Sequence, residues 1–331
     1  MVSIIIVTLN SSSCINECLK SVSSQTVKDY EIIAVDNGSA DNTVKILKSF
    51  HLPIRLIENR NNMGFTKANN QAIAMAKGDY LLLLNPDVAM EGNYIEELLG
   101  KADEDKKIGA VTGKLLKKPF PQTAAIIDST GHIAYKCRYF KDRGENEEDK
   151  GQYDMSGYVF SVCAAASLYR KEMLEGVKIK GEYFDEDFFS YWEDVDLCWR
   201  SQLMGWKSYY NSKAVAYHAR GHSRDKKAEK TLIFKNRILT LMKNDSIKNL
   251  LKDIHHILIY EFFDFLQNLF FSPYVFKNLL TCFKLLPEIL EKRSFISEKK
   301  SVHDLDIHQW FVYKKNMYSK LLIKAVQEKF K

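Results

Sequence analysis

Unbroken apolar runs alternate with stretches whose apolar positions fall three or four residues apart, and this alternation repeats through the first third of the chain. Val2 to Thr8 is β-rich, whereas Ser11 to Gln25 carries Cys14, Ile15, Cys18, Leu19 and Val22 at helical spacing. The pair predicts a strand followed by a helix. Tyr30 to Val35 reads as a second strand ending in Asp36-Asn37-Gly38-Ser39, after which Asp41 and Thr43 open a helix running to Phe50. Ile54 to Glu58 fits a third short strand, Thr66 to Ala76 a helix of small residues, and Tyr80 to Leu84 a central parallel strand. Such alternation predicts an α/β fold, a mostly parallel doubly wound sheet flanked by helices.

Beyond Asn85-Pro86-Asp87 the pattern predicts a helix over Asn93 to Leu99 and a strand over Gly109 to Leu115. Lys117 to Asp154 is polar, and its charge-rich part, Lys141 to Lys150, reads as a mobile loop or weak hairpin. Order returns with the small residues Ser161 to Tyr169. An acid- and aromatic-rich loop, Glu182 to Trp192, then leads to a helix over Val195 to Leu203 and a strand over Lys207 to Tyr217. The α/β body is expected to occupy residues 1–240. Residues 245–331 form a C-terminal helical region, with Ile247, Leu250, Leu251, Ile254 and Leu258 opening one broad apolar stripe. Pro273 and Pro287 are expected to break it, with further helices over Tyr274 to Leu286 and Val312 to Phe330.

Composition narrows the class. With 46% hydrophobic and 27% charged residues and only 15 Gly and 6 Pro in 331 residues, the chain is neither collagen-like nor disordered. A net charge of +6 does not imply a nucleic-acid partner, and residues 245–331 hold 14 Lys/Arg against 10 Asp/Glu. Six cysteines without a CxxC pair suit a reducing compartment. The opening MVSIIIVTLN has no basic n-region and reads as a strand, so a cytoplasmic location is expected. Two readings of the C-terminal helices stand side by side. They complete the fold or form a homodimer interface, or they attach to a membrane surface through Phe262, Phe263, Phe270, Phe271 and Tyr274 with nearby lysines.

Ligands of an open parallel sheet bind beyond the carboxyl ends of its strands, where the polar clusters of this chain fall. The first strand ends in Thr8-Leu9-Asn10, the second in Asp36-Asn37-Gly38-Ser39 and the fourth in Asn85-Pro86-Asp87. Neither GxGxxG nor GxxxxGK[ST] occurs, which argues against dinucleotide oxidoreductases and P-loop NTPases. Asp87 is placed to hold Mg²⁺ or Mn²⁺ whose other ligands are diphosphate oxygens, and also fits a simple turn. Six acids between Asp185 and Asp196, interleaved with aromatics, look like a carboxylate held against apolar walls as well as helix capping. His218 closes the last strand, where a neutral imidazole could complete the coordination begun by Asp87, with Arg220 or His222 reaching diphosphate oxygens.

Together these residues resemble the inverting family-2 glycosyltransferases of GT-A fold, and within them the rhamnosyltransferase-like branch that acts on bacterial surface polysaccharides. The likeness covers roughly residues 2–240 and rests on Val7-Thr8-Leu9-Asn10, Val35-Asp36-Asn37-Gly38-Ser39, Asn62-Met63-Gly64-Phe65 with Asn69-Asn70, Leu84-Asn85-Pro86-Asp87, Trp192-Glu193-Asp194-Val195-Asp196-Leu197 with Arg200, and His218. It implies that Thr8, Asn10 and Asp36, with Asn37 and Ser39, hold the nucleotide, and that Asn62, Gly64, Phe65, Asn69, Asn70 and Asn85 line the diphosphate and sugar. It implies Asp87 and His218 as metal ligands, although Asn85 stands where many members carry the first Asp of the DxD motif. Asp194 matches the general base, with Glu193 beside it and Trp192 and Arg200 on the acceptor side. The implied partners are a nucleotide-diphosphate sugar, dTDP-L-rhamnose first, and a saccharide or lipid-linked acceptor. Alternatives are a sugar-1-phosphate nucleotidyltransferase and a non-catalytic sugar-nucleotide- or polysaccharide-binding module.

Overall fold

Strand β1 (Val2–Thr8) is buried along nearly its whole length, because helices cover both faces of the sheet it centres; its sequence therefore lacks polar alternation. The computed structural model describes residues 1–118, 124–220 and 225–313. After β1 come α1 (Ile15–Ser23), β2 (Tyr30–Asp36), α2 (Thr43–Ser49), β3 (Ile54–Glu58), α3 (Phe65–Met75) and β4 (Tyr80–Leu84), in the alternation expected. A short β5 (Val88–Met90), α4 (Tyr94–Glu104) and the long β6 (Ile108–Lys117) follow. The stretch expected to be irregular contains β7 (Ile127–Ser129), β8 (His132–Tyr135), β9 (Phe140–Asp142) and β10 (Gly157–Val159). Next are β11 (Ala166–Arg170), α5 (Lys171–Val177), α6 (Glu193–Leu203) and β12 (Lys207–His218). The C-terminal part supplies α7 (Lys226–Asn244), α8 (Ile247–Lys252), α9 (Ile254–Phe271), α10 (Lys277–Lys299), α11 (Asp304–His308) and β13 (Phe311–Val312).

Strand order in the main sheet is β10-β12-β6-β11-β4-β1-β2-β3, with β5 pairing β12 and β7 pairing β6. β1 runs parallel to β2 and β4, while β11 is antiparallel to both β4 and β6. β6 and its parallel partner β12 therefore point the same way as β4. This polarity decides the site: the C-terminal ends of β1, β2, β4 and β12 all reach one edge. β5 turns back along the end of β12 and pairs His218 with Val88, which fixes the turn carrying Asp87 beside that histidine.

Several expectations need correction. Among its described residues the polar middle forms strands: β8 pairs both β9 and β13, so the small second sheet closes only with residues from the C-terminal part. α7 crosses the body's expected end at 240 and stops at Asn244, and Ile296, Ile307 and Phe311 pack with Phe140, Phe160 and Trp199 of the body in one core. α10 continues through Pro287, which is exposed; the missing N–H costs one helical bond while buried Ile289 and Lys292 keep the helix on the body. The helix expected over Val312 to Phe330 lies, beyond residue 313, outside the described residues. All six cysteines are free thiols.

Arg138 ties the second sheet to the helices. Wholly buried, it pairs through Nε with Asp245 (2.6 Å) and through Nη1 with Asp253 (2.7 Å), donates through Nη2 to the Asn249 carbonyl (2.9 Å), and lies 3.9 Å from the Phe311 ring centre. Removing one partner of a buried ionic cluster strands the other charges. Arg138→Ala is expected to lower the unfolding free energy by about 3–5 kcal/mol in urea titration, and an unchanged midpoint would show the cluster to be energetically neutral.

Candidate active site

At the β1/β2 edge, Thr8 and Asp36 stand opposite each other in the parallel register. Asp36 Oδ1 accepts from Thr8 Oγ1 (3.0 Å) and Ser39 Oγ (2.5 Å), and Oδ2 accepts from the amides of Gly38 (3.1 Å) and Ser39 (2.9 Å). The Asn10 amide donates to Ser39 Oγ, and Asn10 Oδ1 accepts from Ala40 N, both at 2.8 Å. Thr8, Asn10, Asp36 and Ser39 are thus bonded to one another and build two braced loops. Asn37 joins these loops to α3, donating to the Gly64 carbonyl (3.1 Å) and accepting from Asn59 (2.9 Å).

Asp87 and His218 meet where the β5–β12 ladder places them. The Ala219 amide donates to the Asp87 carbonyl (2.9 Å), and His218 Nε2 lies 3.2 Å from Asp87 Oδ1. His218 Nδ1 is engaged by the wholly buried Asp128 at 2.8 Å. Burial alone would lower the His218 pKa, but the hydrogen-bonding carboxylates of Asp128 and Asp87 outweigh it, and the net shift is upward. A carboxylate on Nδ1 directs the Nε2 lone pair of a neutral imidazole outward, as metal-ligating histidines require. Two ligands in adjacent positions around a hard cation with bonds of about 2.1 Å sit about 3 Å apart, so this pair fits a divalent ion completed by phosphate and water oxygens. Among the described residues no group of three or more His, Cys, Asp and Glu side chains is arranged to hold a metal.

Asp194 and Glu193 open α6. Asp194 Oδ2 accepts from the Ala164 amide (3.0 Å) and Oδ1 from Val195 N (2.8 Å), fixing the carboxylate against the loop before β11. Glu193 is buried, and among the described residues its Oε2 has no hydrogen-bond partner. Burial first, and the neighbouring Asp194 charge second, push its pKa up to about 8, so this carboxyl is largely protonated at neutral pH.

Members of all three groups share one cleft of about 780 Å³, whereas Asn10, Asp36, Ser39 and Asp128 brace the lining residues without lining it themselves. Thr8, Asn37, Asn62, Phe65, Asn85, Asp87, Trp192, Glu193, Asp194, His218 and Arg220 all line it. Arg220 is held by two acids, Nε on Asp128 (2.6 Å) and Nη2 on Asp142 (3.0 Å). His222 lies outside the described residues.

Other expected site residues face elsewhere. Gly64 (φ 86°) packs on Phe189, where an added Cβ would come within 2.6 Å of the ring. Asn70 exchanges two hydrogen bonds, both 2.8 Å, with the backbone of Phe184. Asn69 is buried and donates to the Phe65 carbonyl one turn back (2.8 Å). Arg200, expected on the acceptor side, is buried away from the cleft, pairing with Asp196 (3.0 Å) and donating to the carbonyls of Val177 (2.5 Å) and Tyr183 (2.8 Å). Its guanidinium satisfies carbonyls at the ends of two segments, a packing duty.

Three further charged or titratable groups stand at the site outside any recognised motif: Asp128, His132 and Asp142. His132 Nδ1 lies 2.6 Å from Ser161 Oγ, and Nε2 faces Asp142 (3.4 Å) and Asp194 (4.0 Å) across the cleft. The sequence signal for Asp128 is the apolar Ala125-Ile126-Ile127, which leads into β7 with Asp128 at its centre.

Comparison with known proteins shows the family of the chain. Residues 3–176 match the family model described as Glycosyl transferase family 2. The N-acetylglucosaminyl-diphospho-decaprenol L-rhamnosyltransferase of Mycobacterium tuberculosis is 27% identical over 247 residues, which cover 66% of this chain and 76% of that protein. The poly-beta-1,6-N-acetyl-D-glucosamine synthase of Staphylococcus epidermidis is 23% identical over 218 residues, covering 65% of this chain; the chain spans about half (49%) of that relative's length. Among solved structures, GalNAc-T7 with UDP, GalNAc and Mn²⁺ superimposes with a TM-score of 0.58 at 15% identity, covering 73% of this chain and 48% of that one. Residues 1–349 of S. aureus TarS with UDP-GlcNAc give a TM-score of 0.52 at 15% identity, covering 91% and 81%. These two likenesses concern the GT-A fold.

The raised carboxyl of Glu193 has a thermodynamic signature. Between the ordinary carboxyl value of 4.5 and about 8 the folded protein holds a proton that the unfolded chain releases. Stability from this group is therefore complete below the unfolded value and falls as pH rises through the window, at a limiting slope of about 1.4 kcal/mol per pH unit. Glu193→Gln is expected to flatten that fall in denaturation series across the window. An identical fall in both proteins would mean that Glu193 titrates as an ordinary carboxyl.

Proposed function

Because the chain belongs to glycosyl transferase family 2, we propose that it transfers a sugar from a nucleotide-diphosphate donor, dTDP-L-rhamnose first, to a hydroxyl of a saccharide or lipid-linked saccharide. The observation that carries this reading is the convergence of Asp194 and the Asp87–His218 pair on one cleft. The rhamnosyl choice draws on the mycobacterial relative, of which the chain covers the larger share. Asp194 removes the proton from the acceptor hydroxyl; the freed oxygen bonds to the anomeric carbon as the carbon–oxygen bond to the diphosphate breaks, and configuration inverts. Asp87 and His218 would hold Mg²⁺ or Mn²⁺, which when bound supplies positive charge to the departing diphosphate. Glu193, protonated, can donate a hydrogen bond to the acceptor without adding a second negative charge beside Asp194.

The same reading puts the protein on the inner face of the cell membrane, where a lipid-linked acceptor lies. Among the described residues no helix is long and apolar enough to cross a membrane. Both acids of α9 are engaged by Arg237 of α7: Glu261 pairs with it (2.6 Å), and Asp264 lies 4.0 Å from the same guanidinium. Its outer side exposes Leu258, Phe262, Phe265 and Phe270, flanked by the exposed Lys248, Lys252, Lys277 and Lys284. Apolar rings beside lysines complement an anionic interface.

Two measurements check these readings. Asp194→Asn is expected to lose about 10²–10⁴-fold in kcat with the donor identified from a nucleotide-sugar panel, while retaining UDP or dTDP binding with Mn²⁺ in thermal-shift assays. Near-parental turnover would remove Asp194 from the base role. The parent should sediment with anionic vesicles, and Phe262→Ser/Phe270→Ser should not. A parent that stays in the supernatant as a dimer would assign the face to self-association.

A further inference from the structure

The segment ahead of the two acids of α6 is strained and is held from outside. Phe189, Tyr191 and Trp192 have φ of 65°, 71° and 69°, a region that residues with side chains seldom occupy and keep only when their surroundings over-determine it. Two walls do so. On the first, Phe189 lies against Gly64, and its carbonyl accepts from Thr66 N (3.2 Å). On the second, Asn236 of α7, wholly buried, directs Nδ2 at the carbonyls of Phe188, Ser190 and Tyr191 at 3.0, 2.8 and 2.7 Å. An amide has two hydrogens for these three oxygens, so one is shared. Beside it, Lys235 donates to the Asp187 carbonyl, and Lys292 of α10 pairs with Asp185 (2.8 Å) and Asp187 (2.7 Å).

We infer that Asn236 is a positioning residue for sugar transfer: its amide holds Phe189–Trp192 in the strained form that walls the cleft and sets the first turn of α6, which carries Asp194. Phe189, Ser190, Tyr191 and Trp192 all line the cleft, whereas Asn236 does not. It therefore acts through the segment and touches neither donor nor acceptor. Among the described residues, backbone carbonyls are the only acceptors of its side-chain amide, and its own Oδ1 has no partner there. The C-terminal helices thereby set the geometry of a reaction whose base lies on another part of the chain. The kinetic half of this inference rests on the proposed function; the conformational half does not.

The test compares the full chain with Asn236→Ala, with Asn236→Ser, which keeps one donor, and with Leu47→Ala, a core change in α2 at the other end of the sheet. Amide hydrogen exchange over residues 185–196 is expected to speed up about tenfold in Asn236→Ala and less in Asn236→Ser, and to stay at the parental rate in Leu47→Ala. UDP or dTDP affinity with Mn²⁺ should remain within about twofold of the parent, while kcat falls about 10–100-fold in Asn236→Ala but not in Leu47→Ala measured below its melting temperature. Should Asn236→Ala not fold, Asn236→Ser carries the comparison. Parental exchange in that segment, or a kcat loss matched by Leu47→Ala, overturns the inference. If the parent turns over no nucleotide sugar, the proposed function fails, and the exchange data still decide whether Asn236 holds the segment.

Discussion

The antiparallel ladder between β5 and the end of β12 is the contact on which the site depends. Asp87 and His218 are far apart in sequence, yet the pairing of His218 with Val88 and the bond from Ala219 N to the Asp87 carbonyl bring carboxylate and imidazole face to face. The ladder is possible only because β12 runs parallel to β6, and β6 points with β4. Sheet polarity thus comes before chemistry. With β12 reversed, His218 would lie at the opposite edge, away from the ends of β1, β2 and β4.

Charge in the cleft is arranged as a ladder of its own. Asp128 bridges His218 and Arg220, Arg220 bridges Asp128 and Asp142, and Asp142 faces His132. Each buried carboxylate in this series has a cationic or imidazole neighbour, which is how so many acids share a small volume. Glu193 is the exception, and it responds by holding its proton. Arg220, which lines the cleft, is thus braced by two carboxylates.

Much of this was legible in the chain. Buried parallel strands announce themselves as apolar runs, and the polar residues that end them, Thr8, Asp36 and Asp87, fall on the carboxyl edge as the topology demands. Residues whose duty is to brace other backbone segments were harder to read. Asn70, Gly64 and Arg200 belong to motifs that suggest ligand contact, but their partners are the Phe184–Phe189 loop and buried carbonyls. A polar side chain that satisfies distant carbonyls looks the same in sequence as one that binds a ligand, because both need donors in fixed places. The second sheet was hidden for a related reason: β8 is completed by β13, a pairing between distant segments that local periodicity cannot carry.

Lys292 of α10 bears on how this protein can be shortened. It is buried and neutralises Asp185 and Asp187, and Lys243 of α7 reaches Asp185 and Asp196 from the other side. A chain trimmed before α10 would keep Lys243 on Asp185 but lose the ammonium that pairs with Asp187 and the second cation on Asp185 beneath the cleft wall. The wall would then loosen before the scaffold did, so the minimal catalytic unit is longer than the portion that folds as a layered α/β body.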